Sequence, residues 1–242
     1  MYVKWTKTVL LQEQIAYFKT FGFLNRPKLF SESEMQQVIV EVHDALARPE
    51  LDAFDGKRHV TQTLVESRPI LTRLARDDRI YEAVSDLLGA DFIWAGSEAN
   101  LDVKPHDIHW HPDRKECDYV RMKIIFYLES VGRKTGCLRV IPGSHRLPLH
   151  QTLWPSHHKT EAYFGVPGAD MPAVALESDP GDAVFFNQAL WHGSFGCQAP
   201  RRYLGLKFAA KPRNKEEQEA LQRYQDNLVV PDGFCIHERA VT

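Results

Sequence analysis

The sequence is short of the features that mark several large classes of protein. Its 242 residues include 4 cysteines and no Cys-x-x-C pair, which argues against a structural zinc site or a redox centre. Acidic and basic residues nearly balance, with a formal net charge of −2, and no basic stripe marks a nucleic-acid surface. No run of about 18 apolar residues occurs, so we expect no membrane-spanning helix. The first residues lack the apolar core of a signal peptide, so we expect a cytoplasmic protein with reduced thiols.

The length and apolar content of the chain suit a single domain. Hydrophobic residues make up 43% of the sequence, and β-rich domains often reach this length without dividing. No internal repeat or flexible linker is present. We therefore expect one domain over 1–242, with helices over 8–90, a β-rich core over 91–210, and a C-terminal helix and tail over 211–242.

Helical patterns are concentrated in the first third of the chain. An apolar stripe at i, i+4, i+7 that begins at Leu11 predicts a first helix. Ser31 and Glu34 have the spacing of a capping box ahead of a second helix. A third helix is expected to be closed by Gly89 as a left-handed C-cap. A polar C-terminal helix is predicted over 214–228.

From about residue 91 the pattern changes to one typical of β-structure. Short segments rich in β-branched and aromatic residues are separated by Gly and Pro turns, at 92–94, 122–128, 182–186 and 203–208. This spacing predicts a mostly β fold with flanking helices, in the form of a sandwich or barrel, and here a double-sheet jelly roll. The segment 145–177 has no clear period and is long for a connection, which makes it a candidate lid.

The segment from His109 to Asp113, with the sequence His-Trp-His-Pro-Asp, contains candidate metal ligands. Alternate residues of a strand share a face, so His109, His111 and Asp113 would point the same way. A His-x-Asp pair supplies two donors of the 2-His-1-carboxylate triad that binds non-haem Fe(II) and leaves coordination positions open. By itself such a short pair is weak evidence for a metal site.

A distant histidine can complete this triad. His192 follows the predicted strand 182–186 after a short gap, and Gly193 beside it leaves room for a close approach. A lone histidine of this kind is more often an ordinary hydrogen-bonded side chain. The order and strand context of both motifs nevertheless fit one site.

Two arginines precede the predicted strand 203–208. Arg201 and Arg202 each carry a rigid fork that can bind a carboxylate through two hydrogen bonds. A dicarboxylate such as 2-oxoglutarate could chelate iron at one end and meet an arginine at the other. Ordinary surface charge is the alternative interpretation of this pair.

Taken together, these motifs resemble the phytanoyl-CoA dioxygenase family of Fe(II)/2-oxoglutarate oxygenases. The resemblance extends over most of the chain and rests on ordered segments at 11–31, 110–113, 136–145, 180–182 and 192–201. It implies a double-stranded β-helix in which His111, Asp113 and His192 bind Fe(II).

The same resemblance implies a site for 2-oxoglutarate as co-substrate. Arg201 is expected at its far carboxylate with Ser194 nearby, and Ile125 is expected to line it. The spacing from the distal histidine to the arginine is about two residues shorter than is usual in the family, which leaves Arg202 as the alternative. Arg201 keeps the family's strand register, and Arg202 would face the opposite side. His109 could contact the co-substrate or substrate, or equally orient a metal ligand.

The activity that the resemblance implies is oxidation of an unactivated C–H bond, with O2 consumed and succinate and CO2 released. Hydroxylation, desaturation and oxidative cyclisation all remain open. Asp113 retains the carboxylate that related halogenases lack, which favours oxidation over halogenation. We expect a small or secondary metabolite as substrate, and the polar residues around the metal motif suggest a polar one. We expect neither nucleic acid nor membrane as partner. Alternatives are a cupin-like metalloenzyme without 2-oxoglutarate and a non-catalytic sensor of iron or 2-oxoglutarate. The sequence does not indicate an oligomeric state.

Overall fold

The computed structural model describes residues 9–47, 53–160, 162–226 and 234–238. The described helices are α1 Gln12–Phe21, α2 Glu32–Leu46, α3 Pro69–Arg76, α4 Asp78–Leu88, α5 Leu149–Leu153 and α6 Lys215–Gln225. The described strands are β1 Phe23–Arg26, β2 Ala53–Phe54, β3 Arg58–Gln62, β4 Ile93–Asp102, β5 His106–His111, β6 Arg121–Tyr127, β7 Leu138–Val140, β8 Val174–Leu176, β9 Ala183–Asn187, β10 His192–Cys197 and β11 Arg201–Ala209.

These strands form two antiparallel sheets. The larger sheet has the strand order β1-β9-β6-β11-β4-β3-β2, and the smaller has the order β5-β10-β7-β8. Strands distant in sequence are neighbours in both sheets, as a jelly roll requires. The predicted double-stranded β-helix is therefore confirmed.

The larger sheet is buried on both of its faces. On β6, Ile124 and Phe126 belong to the apolar core formed with the N-terminal helices, whereas Ile125 and Tyr127 face the smaller sheet. A strand that is covered on both sides has a nearly continuous apolar sequence, which is why the segment 122–128 could be recognised as a strand. The side of the sheet away from the helices is thereby left to form the wall of a cavity.

The predicted helices are present, with corrections at their ends. Ile15 and Phe18 of α1 are buried, but Leu11 precedes the helix and is 67% exposed, so it lies outside the stripe. Ser31 and Glu34 form the expected capping box at the start of α2. Gly89 ends α4 with φ 99° and ψ 154°, a conformation open to glycine but different from the predicted left-handed cap.

Short elements were missing from the sequence prediction. The region 8–90 was expected to be helical, yet it also contains β1, β2 and β3, which lie at the two edges of the larger sheet. These strands have two to five residues, too few to show a clear period. Helix α3 begins with Pro69, a residue favoured at a first helical position.

The C-terminal region ends in a short helix. The side chain of Asn214 caps α6 by accepting from the backbone N–H of Glu217 at 2.9 Å, and Leu221 is buried. The last part of the predicted helix, through Leu228, lies outside the described residues. Among the helices that the structure describes, none has the length and apolar content needed to cross a membrane.

Candidate metal centre

The three predicted metal ligands come together where β5 ends and β10 begins. His111 is the last residue of β5 and His192 the first of β10, and the two are direct partners across the strand pair. Asp113 follows two residues after His111. One ligand atom from each of the three side chains lies within 4.8 Å of the others, and His192 Nε2 is 3.6 Å from an Asp113 carboxylate oxygen.

Backbone hydrogen bonds set which nitrogen of each histidine is available to a metal. The Nδ1 atoms of His111 and His192 lie 2.7 and 2.8 Å from the carbonyl oxygens of His109 and Leu190. A carbonyl oxygen can only accept, so Nδ1 carries the proton in both rings. Each Nε2 therefore has a free lone pair and is the nitrogen available to a metal.

The electrostatic setting favours neutral imidazoles and an ionised carboxylate. Burial lowers the pKa of His192. The pKa of His111 is lowered first by burial and then by the charge of the neighbouring His192. Partial burial would raise the pKa of Asp113, but the ammonium of Lys123 and the imidazoles lower it overall. Two neutral imidazole donors and one carboxylate are the set that suits a divalent transition metal such as Fe(II), so the residues present fit the expected ion.

A cavity of about 220 Å³ extends from these ligands between the two sheets. Ile125, Ser194 and Arg201 line it, together with His111, Asp113 and His192. The structure thus brings the predicted metal ligands and three of the four predicted cofactor-binding residues to one cavity.

Arg201 is buried and held by several partners. Its Nη1 donates to Asp102 at 2.6 Å and its Nε to the carbonyl oxygen of Gly136 at 2.9 Å. Its Nη2 donates to the hydroxyl oxygens of Tyr127 and Ser194, at 3.1 and 3.3 Å. One side of the guanidinium is therefore fixed by Asp102 and the backbone, and Nη2 lies in a group of hydroxyls at the cavity wall.

Arg202 lies on the other side of β11. Its side chain forms an ion pair with Glu129 and is partly exposed. Arg202 is not among the described residues that line the cavity. The alternation of strand faces thus separates the two arginines in the way that the register argument predicted.

His109 does not share a strand face with His111 in the way that simple alternation predicts. His192 pairs with His111, but Ser194 pairs with Ile108, so β5 contains one extra residue between these positions. This β-bulge breaks the alternation, and Ile108 lines the cavity instead of His109. The centroid of the His109 ring lies 6.1 Å from that of Phe195, and the carbonyl oxygen of His109 contacts the predicted metal ligand His111.

Part of the candidate lid packs against one of the predicted metal ligands. The ring of His158 stacks on that of His111, with 4.9 Å between centroids, and His157 stacks on Trp154. The backbone N–H of His158 donates to the carbonyl oxygen of Trp110 at 2.9 Å, and its φ of 54° is unusual for a non-glycine residue. Phe164, in the same segment, is 44% exposed.

Sequence reasoning did not find Asp102, which holds Arg201 in place. No local motif surrounds it, and only the pairing of β4 with β11, which puts Asp102 directly opposite Arg201, reveals the contact. Tyr127 could be found, because it shares a strand face with Ile125.

Comparison with known proteins agrees with this geometry. The family model "Phytanoyl-CoA dioxygenase (PhyH)" matches residues 18–203. A probable phytanoyl-CoA dioxygenase from Caenorhabditis elegans is 27% identical over 58% of this chain and 50% of its own length. The ectoine dioxygenase of Bordetella parapertussis is also 27% identical, over 76% of this chain and 70% of its own. The chain therefore spans only about half the length of the first of these relatives.

A solved structure has the same fold. The epimerase SnoN, in complex with Fe3+, alpha ketoglutarate and nogalamycin RO, superposes with a TM-score of 0.65 at 19% identity. The match covers 82% of this chain and 83% of SnoN. Because the family model matches well over half of the residues, the chain belongs to the phytanoyl-CoA dioxygenase family.

Proposed function

We propose that the protein is a non-haem Fe(II)/2-oxoglutarate-dependent dioxygenase that oxidises an unactivated C–H bond of a small molecule. The main support for this proposal is that a cluster of potential metal ligands and the buried Arg201 line the same cavity. Membership of the family supports it, as does the solved complex of SnoN with iron and alpha ketoglutarate.

His111, Asp113 and His192 would hold Fe(II), with the imidazoles fixed in the required tautomer by their backbone contacts. When bound, the metal centre supplies the activation of O2 that couples decarboxylation of 2-oxoglutarate to oxidation of the substrate. The protein's own share is to bind both reactants, to orient them and to keep bulk water away.

Arg201 would bind the far carboxylate of 2-oxoglutarate. Asp102 already neutralises one side of the guanidinium, and Nη2 remains with the hydroxyl groups of Ser194 and Tyr127. A cationic N–H and two hydroxyls together form a set of donors suited to a carboxylate. Ile125 would provide an apolar contact for the carbon chain between the two ends.

The cavity size constrains where the substrate binds. Its volume of about 220 Å³ is below the roughly 300–1,000 Å³ of typical ligand pockets, which suits a five-carbon diacid alone. The substrate would then approach from the side of Asp113, whose side chain is 26% exposed. We propose a small or secondary metabolite, as for the relatives that act on ectoine or bind a nogalamycin compound.

The decisive experiment measures succinate and oxygen consumption in the iron-loaded protein. We expect slow formation of succinate from 2-oxoglutarate even without substrate, and faster formation when a substrate from a metabolite panel is added. Oxygen consumption without any dependence on 2-oxoglutarate would instead indicate a metalloenzyme of another type. Binding of iron and 2-oxoglutarate without succinate formation under any condition would indicate a sensor.

A further inference from the structure

A second group of charged side chains lies beside the metal ligands and has no part in holding them. The carboxylate of Glu98 on β4 forms ion pairs with the ammonium groups of Lys123 on β6 and Lys207 on β11. The hydroxyl of Tyr203 also donates to Glu98, with 3.2 Å between oxygens. Glu98, Lys123 and Lys207 are each less than a tenth exposed, so the cluster is buried within the fold.

Gly205 makes room for this cluster. It pairs with Glu98 on one neighbouring strand and with Ile125 on the other. A Cβ atom at this position would lie 3.0 Å from Lys123 Cε and 3.1 Å from Glu98 Cγ. Contacts this short would force the side chains to shift, so the backbone of β11 is adapted to the ion pair.

The cluster carries one excess positive charge, because two ammonium groups share one carboxylate. Burial alone would lower the pKa of Lys123, but the charge of Glu98 raises it well above its usual value. Burial would raise the pKa of Glu98, yet the two lysines lower it. All three groups are therefore charged at neutral pH. A buried charge without a counter-ion is costly, so the excess calls for an anion.

The excess charge faces the cavity through Lys123. Lys123 lines the cavity, whereas Lys207 is not among its described lining residues. Lys123 lies directly opposite Phe186 on β9, and the ring of Phe186 is 5.0 Å from that of the metal ligand His192. Lys123 therefore belongs to the metal end of the cavity.

The other end of the cavity carries its own cation. Tyr127 is four residues beyond Lys123 on the same strand face, about 13 Å along β6, and its hydroxyl accepts from Arg201. Ile125 lies between them. A cavity with a cation at each end and an apolar residue midway matches a linear dicarboxylate.

We propose that Lys123 binds the metal-chelating end of 2-oxoglutarate, its ammonium held in position by Glu98. This role rests on the proposed function, because it requires that 2-oxoglutarate occupies the cavity. Arg201 would meet the far carboxylate, and Lys123 would compensate the carboxylate next to the keto group. Asp113 cannot serve as the counter-ion of Lys123 in the loaded protein, because its charge is then used by the metal.

The test compares two acids that share the chelating end and differ at the far end. 2-Oxopentanoate has the chain length of 2-oxoglutarate but lacks the far carboxylate. With protein loaded with Mn(II), 2-oxoglutarate affinity is measured by calorimetry, and that of 2-oxopentanoate by competition. We expect Lys123→Met to weaken both acids by about tenfold or more, as for loss of a charged hydrogen bond. Lys207→Met is the matched control: it removes the same charge from the cluster but no group that lines the cavity, so it should weaken both acids clearly less.

Lys123→Met should fold, because Glu98 and Lys207 remain as a balanced pair, and thermal unfolding checks this. Unchanged affinity of Lys123→Met for both acids would overturn the role of Lys123, as would an equal loss in Lys207→Met. Weakening of 2-oxoglutarate alone would place Lys123 at the far carboxylate and also overturn it. A loss of Mn(II) affinity would assign Lys123 to the support of Asp113 instead.

The wild-type protein separates failure of this inference from failure of the proposed function. If metal-loaded wild type binds no 2-oxoglutarate, both fall. If it binds 2-oxoglutarate normally and 2-oxopentanoate does not compete, a strong contact at the chelating end is contradicted while the proposed function stands.

Discussion

His111 and His192 are opposed across β5 and β10, and each donates its Nδ1 proton to the carbonyl oxygen two residues before it. The backbone thus fixes both rings before any metal binds. Orienting partners of this kind commonly change metal affinity by about 10–100-fold when they are lost in other metal sites. Here they cannot be removed by substitution, because they are main-chain atoms.

Loss of the carboxylate ligand should abolish metal-dependent turnover without unfolding the protein. We expect Asp113→Ala to lower Mn(II) affinity by at least about 100-fold, since a direct ligand contributes more than its supporting partners. Titration calorimetry measures this effect, and thermal unfolding of the metal-free variant serves as the control. An Asp113→Ala variant with unchanged metal affinity would show that another residue supplies the third ligand.

Arg201 and Arg202 should differ in their effects on 2-oxoglutarate binding. Arg201→Ala should raise the Kd for 2-oxoglutarate and destabilise the fold by about 3–5 kcal/mol, because Asp102 is left buried without its partner. Arg202→Ala removes only a partly exposed pair with Glu129, at a cost of about 1 kcal/mol or less.

The double variant Arg201→Ala/Asp102→Asn separates these effects. It should recover part of the lost stability and none of the lost 2-oxoglutarate affinity, as followed by urea unfolding and calorimetry. If Arg202→Ala weakens 2-oxoglutarate and Arg201→Ala does not, the assignment of the two arginines is reversed.

A side chain at Gly193 should disturb the metal centre. A Cβ atom there would lie 2.8 Å from the carbonyl oxygen of Ile108 on the neighbouring strand, a distance that forces the strands apart. We expect Gly193→Ala to weaken Mn(II) binding, because His192 is the adjacent residue. Gly132→Ala is the matched control, since the nearest atom to its Cβ would be a side-chain oxygen of Glu177 at 3.3 Å, and it should retain wild-type affinity.

The capping contact of α2 predicts a pH dependence of stability. Hydrogen bonds from Arg79 and then Ser31 lower the pKa of Glu34 to about 2, from a usual value of 4.5. A pKa that is lower in the folded state adds stability that is complete above about pH 4.5 and is lost as the pH falls towards 2. Glu34→Gln should therefore differ most from wild type near neutral pH, and the difference in unfolding free energy should shrink below pH 4.5. Glu32→Gln, in the same helical turn, is the control for simple loss of charge, and a constant difference for Glu34→Gln would contradict the assignment.

The clustering of His111, Asp113 and His192 could be predicted from the sequence because the motifs involved are local. His111 and Asp113 are two residues apart, and His192 is recognisable by its own short motif. The contact of Arg201 with Asp102 could not be predicted, because it joins residues 99 positions apart that meet only when β4 pairs with β11. The break in strand alternation at His109 could not be predicted for a related reason, since a bulge depends on the partner strand.

The elements of the fold could be predicted where the information is local in the sequence, and not where it depends on distant residues. Long periodic segments such as α2 and the double-buried strand β6 were predicted, since each contains its own pattern. The edge strands β1 to β3 were missed, because strands this short are defined by pairing more than by sequence. The conformation of Gly89 was also missed, because a glycine beyond a helix is compatible with more than one backbone path.

The double burial of β6 has a consequence for how this protein could change during evolution or engineering. Its even-numbered residues 122, 124 and 126 pack in the helix-covered core, while 123, 125 and 127 line the cavity. Substitutions at the odd-numbered positions can therefore change which ligand is preferred without altering the apolar core. A single-residue insertion or deletion in β6 would exchange the two sets and destroy both at once, so this strand should tolerate replacement but not a change of length.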